Sequence, residues 1–297
     1  MKMKTISIGV LNIVLPPPHS PEKYIELWRA AFKKREPVMI RGDVGGMIGS
    51  LKRESEFEWI SGDLYKFLNI DNNGKWLDLS TTEPAAAEDV AQNVSIPPHY
   101  RPNLRSLPYI FVPEKHRLLF ISRLDQANNL SPSMAKNLVE RLLNSAELQK
   151  VYGEVTVTIE PAHDSLDRIF ELQQIRSLKI EVSPPNALGD VERELFEWLD
   201  EQNATNFKQE LESNNTDGLQ PTEKTKEIAE VAKSNGFVEG RGKNEDGRVV
   251  TLSTKDHPFE ERLIFDQKIQ NLFDAFVEAV PSILGKILNK VRRRRKE

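Results

Sequence analysis

Three consecutive side chains, Lys115, His116 and Arg117, could together cleave a phosphodiester. An imidazole titrates near neutral pH and can act as a general acid or base. Neighbouring cations can stabilise the negative charge that develops on phosphorus during the reaction. The three residues therefore suggest a metal-independent ribonuclease, and the alternative interpretation is an ordinary polar turn. Incubation of the protein with RNA in EDTA, with His116→Ala as the variant, tests the enzyme hypothesis.

A second cluster of cations lies near the end of the sequence, and we call it the basic tail: Arg292, Arg293, Arg294, Arg295 and Lys296. Guanidinium groups bind phosphates in a bidentate geometry, and adjacent cations release counterions from a nucleic acid. This pattern predicts nucleic-acid binding. Three alternatives stay open: a solvated terminus that favours the helix dipole, neutralisation by the acidic segment 190–233, and contact with a membrane surface or a protein partner.

No other site pattern predicts a metal or a cofactor. The chain has no cysteine, which excludes thiolate zinc sites, iron–sulfur clusters and cysteine nucleophiles. The adjacent pair His163 and Asp164 could bind a metal but lacks further histidines at ligand spacing, and Asp164 could equally cap a helix. The glycine-rich run RGDVGGMIG lacks the ending of a phosphate-binding loop and is typical of a turn or bulge.

The candidate catalytic residues need a turn between two strands, and the pattern predicts one. Residues 107–112 and 117–122 are mostly apolar and look like two strands, and the four residues that join them favour a hairpin. Ser20 before Pro21 and Ser131 before Pro132 each predict the start of a helix. A last helix is predicted from about Pro258 onwards.

Two stretches, 5–51 and 154–182, have the order strand, helix, strand. Such units favour an α+β fold with mixed sheets, ferredoxin-like strand–helix–strand elements and a C-terminal helical extension. We predict an N-terminal α+β domain over 1–130, a second α+β domain with an acidic helical insertion over 131–257, and a C-terminal helix with the basic tail over 258–297.

The formal net charge of -4 conceals an uneven distribution. Residues 285–297 carry +6, so the preceding 284 residues carry -10. No apolar run approaches the roughly 20 residues that a membrane-spanning helix requires. The residues therefore predict a cytoplasmic protein whose basic end needs a partner.

The C-terminal half resembles a bacterial family known mainly as a domain of unknown function. The runs IRSLKIEVSPPN, TKEIAEVAKSNGFVEGRG and GRVVTLSTKDHP carry this resemblance. It extends over almost the whole chain and implies an accessory protein of bacteria and their mobile elements, with a phage-defence or toxin-like role. It implies no catalytic residues.

We expect a protein that binds nucleic acid, RNA in preference to duplex DNA. The preference for RNA follows from the sheet-face binding of ferredoxin-like folds. However, the sequence offers no pair of aromatic residues on consecutive strands. The alternatives are the metal-independent ribonuclease and a non-catalytic subunit that contacts a second copy or another protein through the apolar stripe of its C-terminal helix.

Overall fold

The computed structural model describes residues 2–54, 59–71, 74–183 and 190–288. Two of their helices begin where serine capping residues predict. The Ser20 and Ser131 side chains accept hydrogen bonds from the backbone N–H groups of Lys23 and Met134, at the starts of the first and third helices. The helices are α1 (Pro21–Lys34), α2 (Ala87–Asn93), α3 (Pro132–Leu143), α4 (Ala146–Tyr152), α5 (Ser165–Phe170), α6 (Asp190–Asp200), α7 (Glu223–Asn235) and α8 (Leu272–Leu288).

The strands form a large sheet, a smaller sheet and a short two-stranded ribbon. They are β1 (Met3–Val14), β2 (Val38–Arg41), β3 (Val44–Ile48), β4 (Lys52–Glu54), β5 (Trp59–Leu68), β6 (Leu77–Asp78), β7 (Glu83–Pro84), β8 (Arg105–Val112), β9 (Arg117–Arg123), β10 (Thr156–Ile159), β11 (Gln174–Val182), β12 (Phe207–Glu212), β13 (Gly236–Lys243), β14 (Val249–Ser253) and β15 (Glu260–Asp266).

The large sheet has the order β10-β1-β9-β8-β5-β3-β2, with β15 also paired to β1 and β4 to β5. The central strand β1 is buried along most of its length, as its apolar sequence predicts. The hairpin of β8 and β9 confirms the prediction for residues 107–122, and a short 3-10 turn, Pro113–Lys115, connects the two strands.

The smaller sheet has the order β12-β11-β13-β14, with α5 and α7 packed against it. Its hydrophobic core is separate from that of the large sheet and includes Leu178, Ile180 and Val238. The core of the large sheet contains residues from β1 to α8 and thus from all three predicted segments of the chain. The domain boundaries at 130 and 257 stay a prediction.

The α+β class is confirmed, but the ferredoxin-like units are not found. In the stretch 154–182, β10 pairs with β1 in the large sheet, whereas β11 pairs with β12 and β13 in the smaller one. In the stretch 5–51, β1 and β2 belong to one sheet but lie at distant positions in its order. Alternating side chains indicate that a segment is extended, and they leave its partner undetermined.

The helix predicted from about Pro258 begins later than expected. Residues Glu260–Asp266 are β15, which pairs with β1 from Met3↔Asp266 to Gly9↔Glu260. Phe265 is buried as part of this strand. A single apolar residue fits the two-residue period of a strand as well as the 3.6-residue period of a helix. The helix itself, α8, is present, and none of the described helices is long and apolar enough to cross a membrane.

Candidate nucleic-acid interface

The three candidate catalytic residues lie at the tip of the β8–β9 hairpin, but in different environments. Lys115 is exposed, whereas His116 and Arg117 are buried. His116 has a φ of 55°, in the left-handed region, where it ends the 3-10 turn. Its Nδ1 lies 3.4 Å from the Tyr24 hydroxyl, and its ring centroid is 5.2 Å from that of His19. The imidazole therefore packs among aromatic rings beneath the surface.

The Arg117 guanidinium is already paired inside the protein. Its Nε lies 3.0 Å from Oε2 of Glu160, and the two side chains are only 4% and 6% exposed. The two atoms are close enough for an ion pair, but their relative orientation does not give a hydrogen bond. Its Nη1 donates a hydrogen bond to Oδ1 of Asn12. The positive charge at Arg117 is thus neutralised by a buried carboxylate.

The Arg117–Glu160 pair belongs to a polar network that connects the large sheet to the end of α7. Asn12 Nδ2 donates to the Ser234 carbonyl at 3.0 Å and to Asn235 Oδ1 at 3.3 Å. The Thr158 hydroxyl donates to the same Ser234 carbonyl at 3.1 Å. Buried polar groups of this kind are stable only when they are paired. We infer that the network holds the core of the smaller sheet against the core of the large sheet.

The predicted catalytic residues therefore do not line one open surface. The Lys115 side chain is exposed, whereas Arg117 is held in the buried network and His116 packs against the rings of Tyr24 and His19. The geometry gives the ribonuclease hypothesis no support, and His116→Ala remains its test. The basic tail, Arg292–Lys296, lies outside the described residues.

The apolar stripe predicted for the C-terminal helix is covered in part by the chain itself, while Phe273, Val277, Leu284 and Ile287 are only partly buried. Ala275, Phe276, Val280 and Ile283 of α8 are all buried in the core of the large sheet. These four side chains are therefore not available to a second copy or to another protein in this structure.

The smaller sheet has one covered face and one that we call the open face. The covered face carries Leu178, Ile180 and Val238 and packs against α5 and α7. Gly240 permits this packing, because a Cβ at this position would lie 2.4 Å from Cγ2 of Ile169 on α5. Since successive side chains of a strand alternate, the residues between these point to the other side.

The open face presents side chains from all four strands. The pairs Lys179↔Glu210, Lys179↔Glu239 and Glu181↔Phe237 are directly opposed between neighbouring strands. Directly opposed side chains in an antiparallel pair share one face. By this register and alternation, the open face consists of Ser177, Lys179, Glu181, Lys208, Glu210, Glu212, Phe237, Glu239, Arg241, Lys243, Val249, Thr251 and Ser253.

Phe237 is the aromatic residue of this face, and two lysines surround its ring. The Lys255 ammonium lies 3.4 Å from the ring centroid, and the Lys179 ammonium lies at 5.6 Å. Backbone pairing fixes Lys255 in place, since Thr254 N–H donates to the Val238 carbonyl at 2.9 Å. An aromatic ring between cations combines a surface for base stacking with partners for phosphate.

The pKa of Lys255 is lowered from its ordinary value, chiefly because the ammonium is partly desolvated. The charges of Lys136 on α3 and Lys179 act in the same direction, while the carboxylates of Glu181 and Glu239 oppose them. A cation from the large-sheet side of the molecule therefore contributes to the electrostatic field at the open face.

Acidic side chains limit where a polyanion could bind on the open face. Lys179 lies between Glu210 and Glu239, and Lys208 is 3.5 Å from Glu181 in an exposed ion pair. Exposed pairs of this kind contribute little energy and exchange partners readily. At the Phe237 end, the ammonium groups of Lys179 and Lys255 lie over the ring, while Glu181 is directly opposite Phe237 on the neighbouring strand.

A cleft of about 810 Å³ lies between α3 and the adjoining ends of β11 and β12. Among the residues that the structure describes, its lining includes Glu140 and Glu154 and one cation, Arg141. Two carboxylates against one guanidinium do not favour phosphate. The cleft therefore does not extend the cationic surface around Phe237.

The open face was not identified from the sequence as a site, although its alternation is visible there. SLKIEV and FVEGRG place charged or aromatic residues at every second position. What the pattern could not reveal is that Phe237 and Lys255, which are 18 positions apart, meet across two strands. The β13–β14 hairpin is itself visible in the sequence as two extended runs on either side of residues 242–247, but no pattern indicates that Lys255, beyond the end of β14, lies over the ring of Phe237.

The His163–Asp164 pair forms no metal site in the described residues. Asp164 occupies the position before α5 and forms an ion pair with Arg168 at 2.7 Å, while the His163 ring packs edge-on against Phe259. The carboxylate makes no side-chain capping hydrogen bond. Across the described ranges, no group of three or more His, Cys, Asp or Glu residues could hold a metal ion.

Comparison with known proteins gives one result. A family model described as a domain of unknown function, DUF4747, matches residues 4–281. No curated protein matches the chain.

Proposed function

The chain belongs to the DUF4747 family, a domain of unknown function, and we propose that it binds single-stranded nucleic acid, RNA in preference to duplex DNA, on the open face of its smaller sheet. The observation that carries the proposal is the Phe237 ring with the ammonium groups of Lys179 and Lys255 over it, at 5.6 and 3.4 Å from its centroid. An uncovered antiparallel sheet with an aromatic residue and cations is a surface on which unpaired bases stack.

The ring accounts for a preference for single strands. A base can lie on Phe237 only if its own face is exposed, and in a duplex both faces are covered by neighbouring base pairs. Base–aromatic stacking contributes about 1–3 kcal/mol per base and tolerates any base. The proposal therefore predicts weak sequence preference and a clear preference for unpaired strands.

The resemblance of the three C-terminal runs adds the biological part of the proposal. It suggests a cytoplasmic accessory protein of bacteria with a phage-defence or toxin-like role. RNA binding on the open face does not depend on this biological role.

Binding should depend on salt, and Lys179 should contribute to that dependence. We expect fluorescence anisotropy with a labelled 12-nucleotide single-stranded RNA to give an affinity that falls linearly with salt on a log–log scale. Lys179→Ala should reduce the slope by about 0.7, which corresponds to one phosphate contact on a single strand. Lys268→Ala, at an exposed position outside the open face, is the matched control. Affinity that does not change with salt would contradict the proposal.

The basic tail should add affinity without adding specificity. A variant that ends at Leu288 removes residues 289–297 and with them six formal positive charges and one negative charge. We expect its RNA affinity and its salt slope both to be lower than those of the full chain, while the ratio between single-stranded and duplex RNA stays the same. Unchanged affinity would exclude the tail from the interface and leave the open face as its site.

A further inference from the structure

We propose that Lys255 is a displaceable cover on the Phe237 ring, and that the ligand is a single strand whose unpaired base replaces the lysine there. The displaced ammonium then binds a phosphate of the same strand. This inference rests on the proposed function and adds to it the chemical group that the ring recognises, which is an unpaired base rather than the sugar–phosphate backbone.

The position of Lys255 suits an exchange of this kind. Its ammonium lies on the ring at 3.4 Å from the centroid, which is the place that a stacked base would take. Within the described residues, the ammonium forms no ion pair with a carboxylate. The backbone of this segment is fixed by the bond from Thr254 N–H to the Val238 carbonyl, so only the flexible side chain needs to move.

The magnitudes favour the base over the lysine. A cation on an exposed aromatic ring is worth about a 2- to 5-fold preference, whereas a base stacked on an aromatic side chain is worth about 5- to 150-fold. The lysine loses its contact with the ring but gains a phosphate. Since burial lowers the pKa of Lys255, an anionic partner also relieves an ammonium that is poorly solvated.

The surrounding charges are consistent with this exchange. Glu181 and Glu239 contribute negative charge around Lys255, and Lys136 and Lys179 contribute positive charge. A phosphate next to Lys255 would therefore meet cations from two elements, α3 and β11. The carboxylates prevent the whole face from attracting polyanions indiscriminately, which leaves recognition to the ring.

Two variants and three probes test the proposal. The probes are an eight-nucleotide oligouridine, the corresponding abasic ribose–phosphate oligomer, and an RNA duplex, each followed by fluorescence anisotropy from low to high salt. The full-length protein should bind oligouridine at least about fivefold more tightly than the abasic oligomer. Lys255→Met should lower the salt slope by about 0.7 and bind oligouridine about 2- to 5-fold more tightly than the natural protein at high salt. Lys255→Arg should keep the slope and bind less tightly, because a guanidinium stacks better on the ring.

Different results would overturn different claims. Equal affinity for oligouridine and the abasic oligomer would overturn base recognition while leaving nucleic-acid binding intact. If Lys255→Met bound oligouridine more weakly than the natural protein by the same factor at every salt concentration, the proposed displacement of Lys255 would be overturned. No binding of any probe at low salt would overturn the proposed function and this inference together. An unchanged melting temperature for each variant verifies that it is folded.

Discussion

Replacement of Arg117 by Met should lower the free energy of unfolding by about 3–5 kcal/mol, which is the largest stability change that we expect from a single substitution in this chain. The variant keeps a side chain of similar length but leaves the Glu160 carboxylate buried without its cation. It also removes the donor to Asn12 Oδ1. Since whole domains are stable by only about 5–15 kcal/mol, a loss of this size is readily measured by urea denaturation.

Removal of both charges should restore most of the lost stability. Arg117→Met combined with Glu160→Leu leaves no unpaired ion, and apolar replacements of buried ion pairs are often neutral or stabilising. The matched control is Arg168→Met, which breaks the exposed pair with Asp164 and should change stability by about 0.5 kcal/mol or less. The interpretation would be wrong if Arg117→Met were as stable as the natural protein. It would also be wrong if the double variant lost as much stability as Arg117→Met and Glu160→Leu lose together when measured separately.

The same substitution should loosen the contact between the two cores. Arg117 orients Asn12, and Asn12 holds the Ser234 carbonyl at the end of α7. We therefore expect hydrogen exchange to increase at the end of α7 and in β10 before it increases elsewhere. This result would give the hairpin tip a structural role and would explain why its histidine and arginine are buried.

Replacement of Phe237 by Ala should weaken binding of single-stranded RNA by about 5- to 150-fold, which corresponds to the loss of one stacked base. Stability should change little, because Phe237 lies on the open face and outside the hydrophobic core of the smaller sheet. Phe237→Trp should preserve binding, since it keeps an aromatic surface. Fluorescence anisotropy with the labelled 12-nucleotide RNA measures each affinity.

Tyr100→Ala is the matched control for the Phe237 variant. Tyr100 is 61% exposed and lies outside the open face, so its loss removes an accessible aromatic ring elsewhere. Its affinity should equal that of the natural protein. If both variants bind RNA equally well, the ring of Phe237 is not a stacking surface and the open face loses its main support.

Local patterns allowed prediction of the parts of the fold that depend on neighbouring residues. Ser20 and Ser131 cap helices because their side chains reach an N–H group only three residues away. The β8–β9 hairpin was predicted for a similar reason, since four residues suffice to join its strands. In each case, the interaction lies within a few positions of the signal.

The long-range pairings could not be predicted in this way. β1 pairs with β10 and with β15, more than 140 and 250 residues away along the chain, and nothing in its own alternation identifies these partners. The same limit hid part of the candidate site, because Lys179 reaches the ring of Phe237 only through the pairing of β11 with β13. The burial of Arg117 likewise depends on Glu160, which is the residue that directly follows β10.

The proposal that single-stranded RNA lies on the open face is tested most directly by photocrosslinking. A single-stranded RNA that contains 4-thiouridine is irradiated with the full-length protein, and mass spectrometry identifies the crosslinked peptides. We predict crosslinks within Gly236–Lys243 and at Lys255, and their loss in Phe237→Ala. Crosslinks confined to the covered side of the sheet, on α5 or α7, or to the basic tail alone, would contradict the proposal.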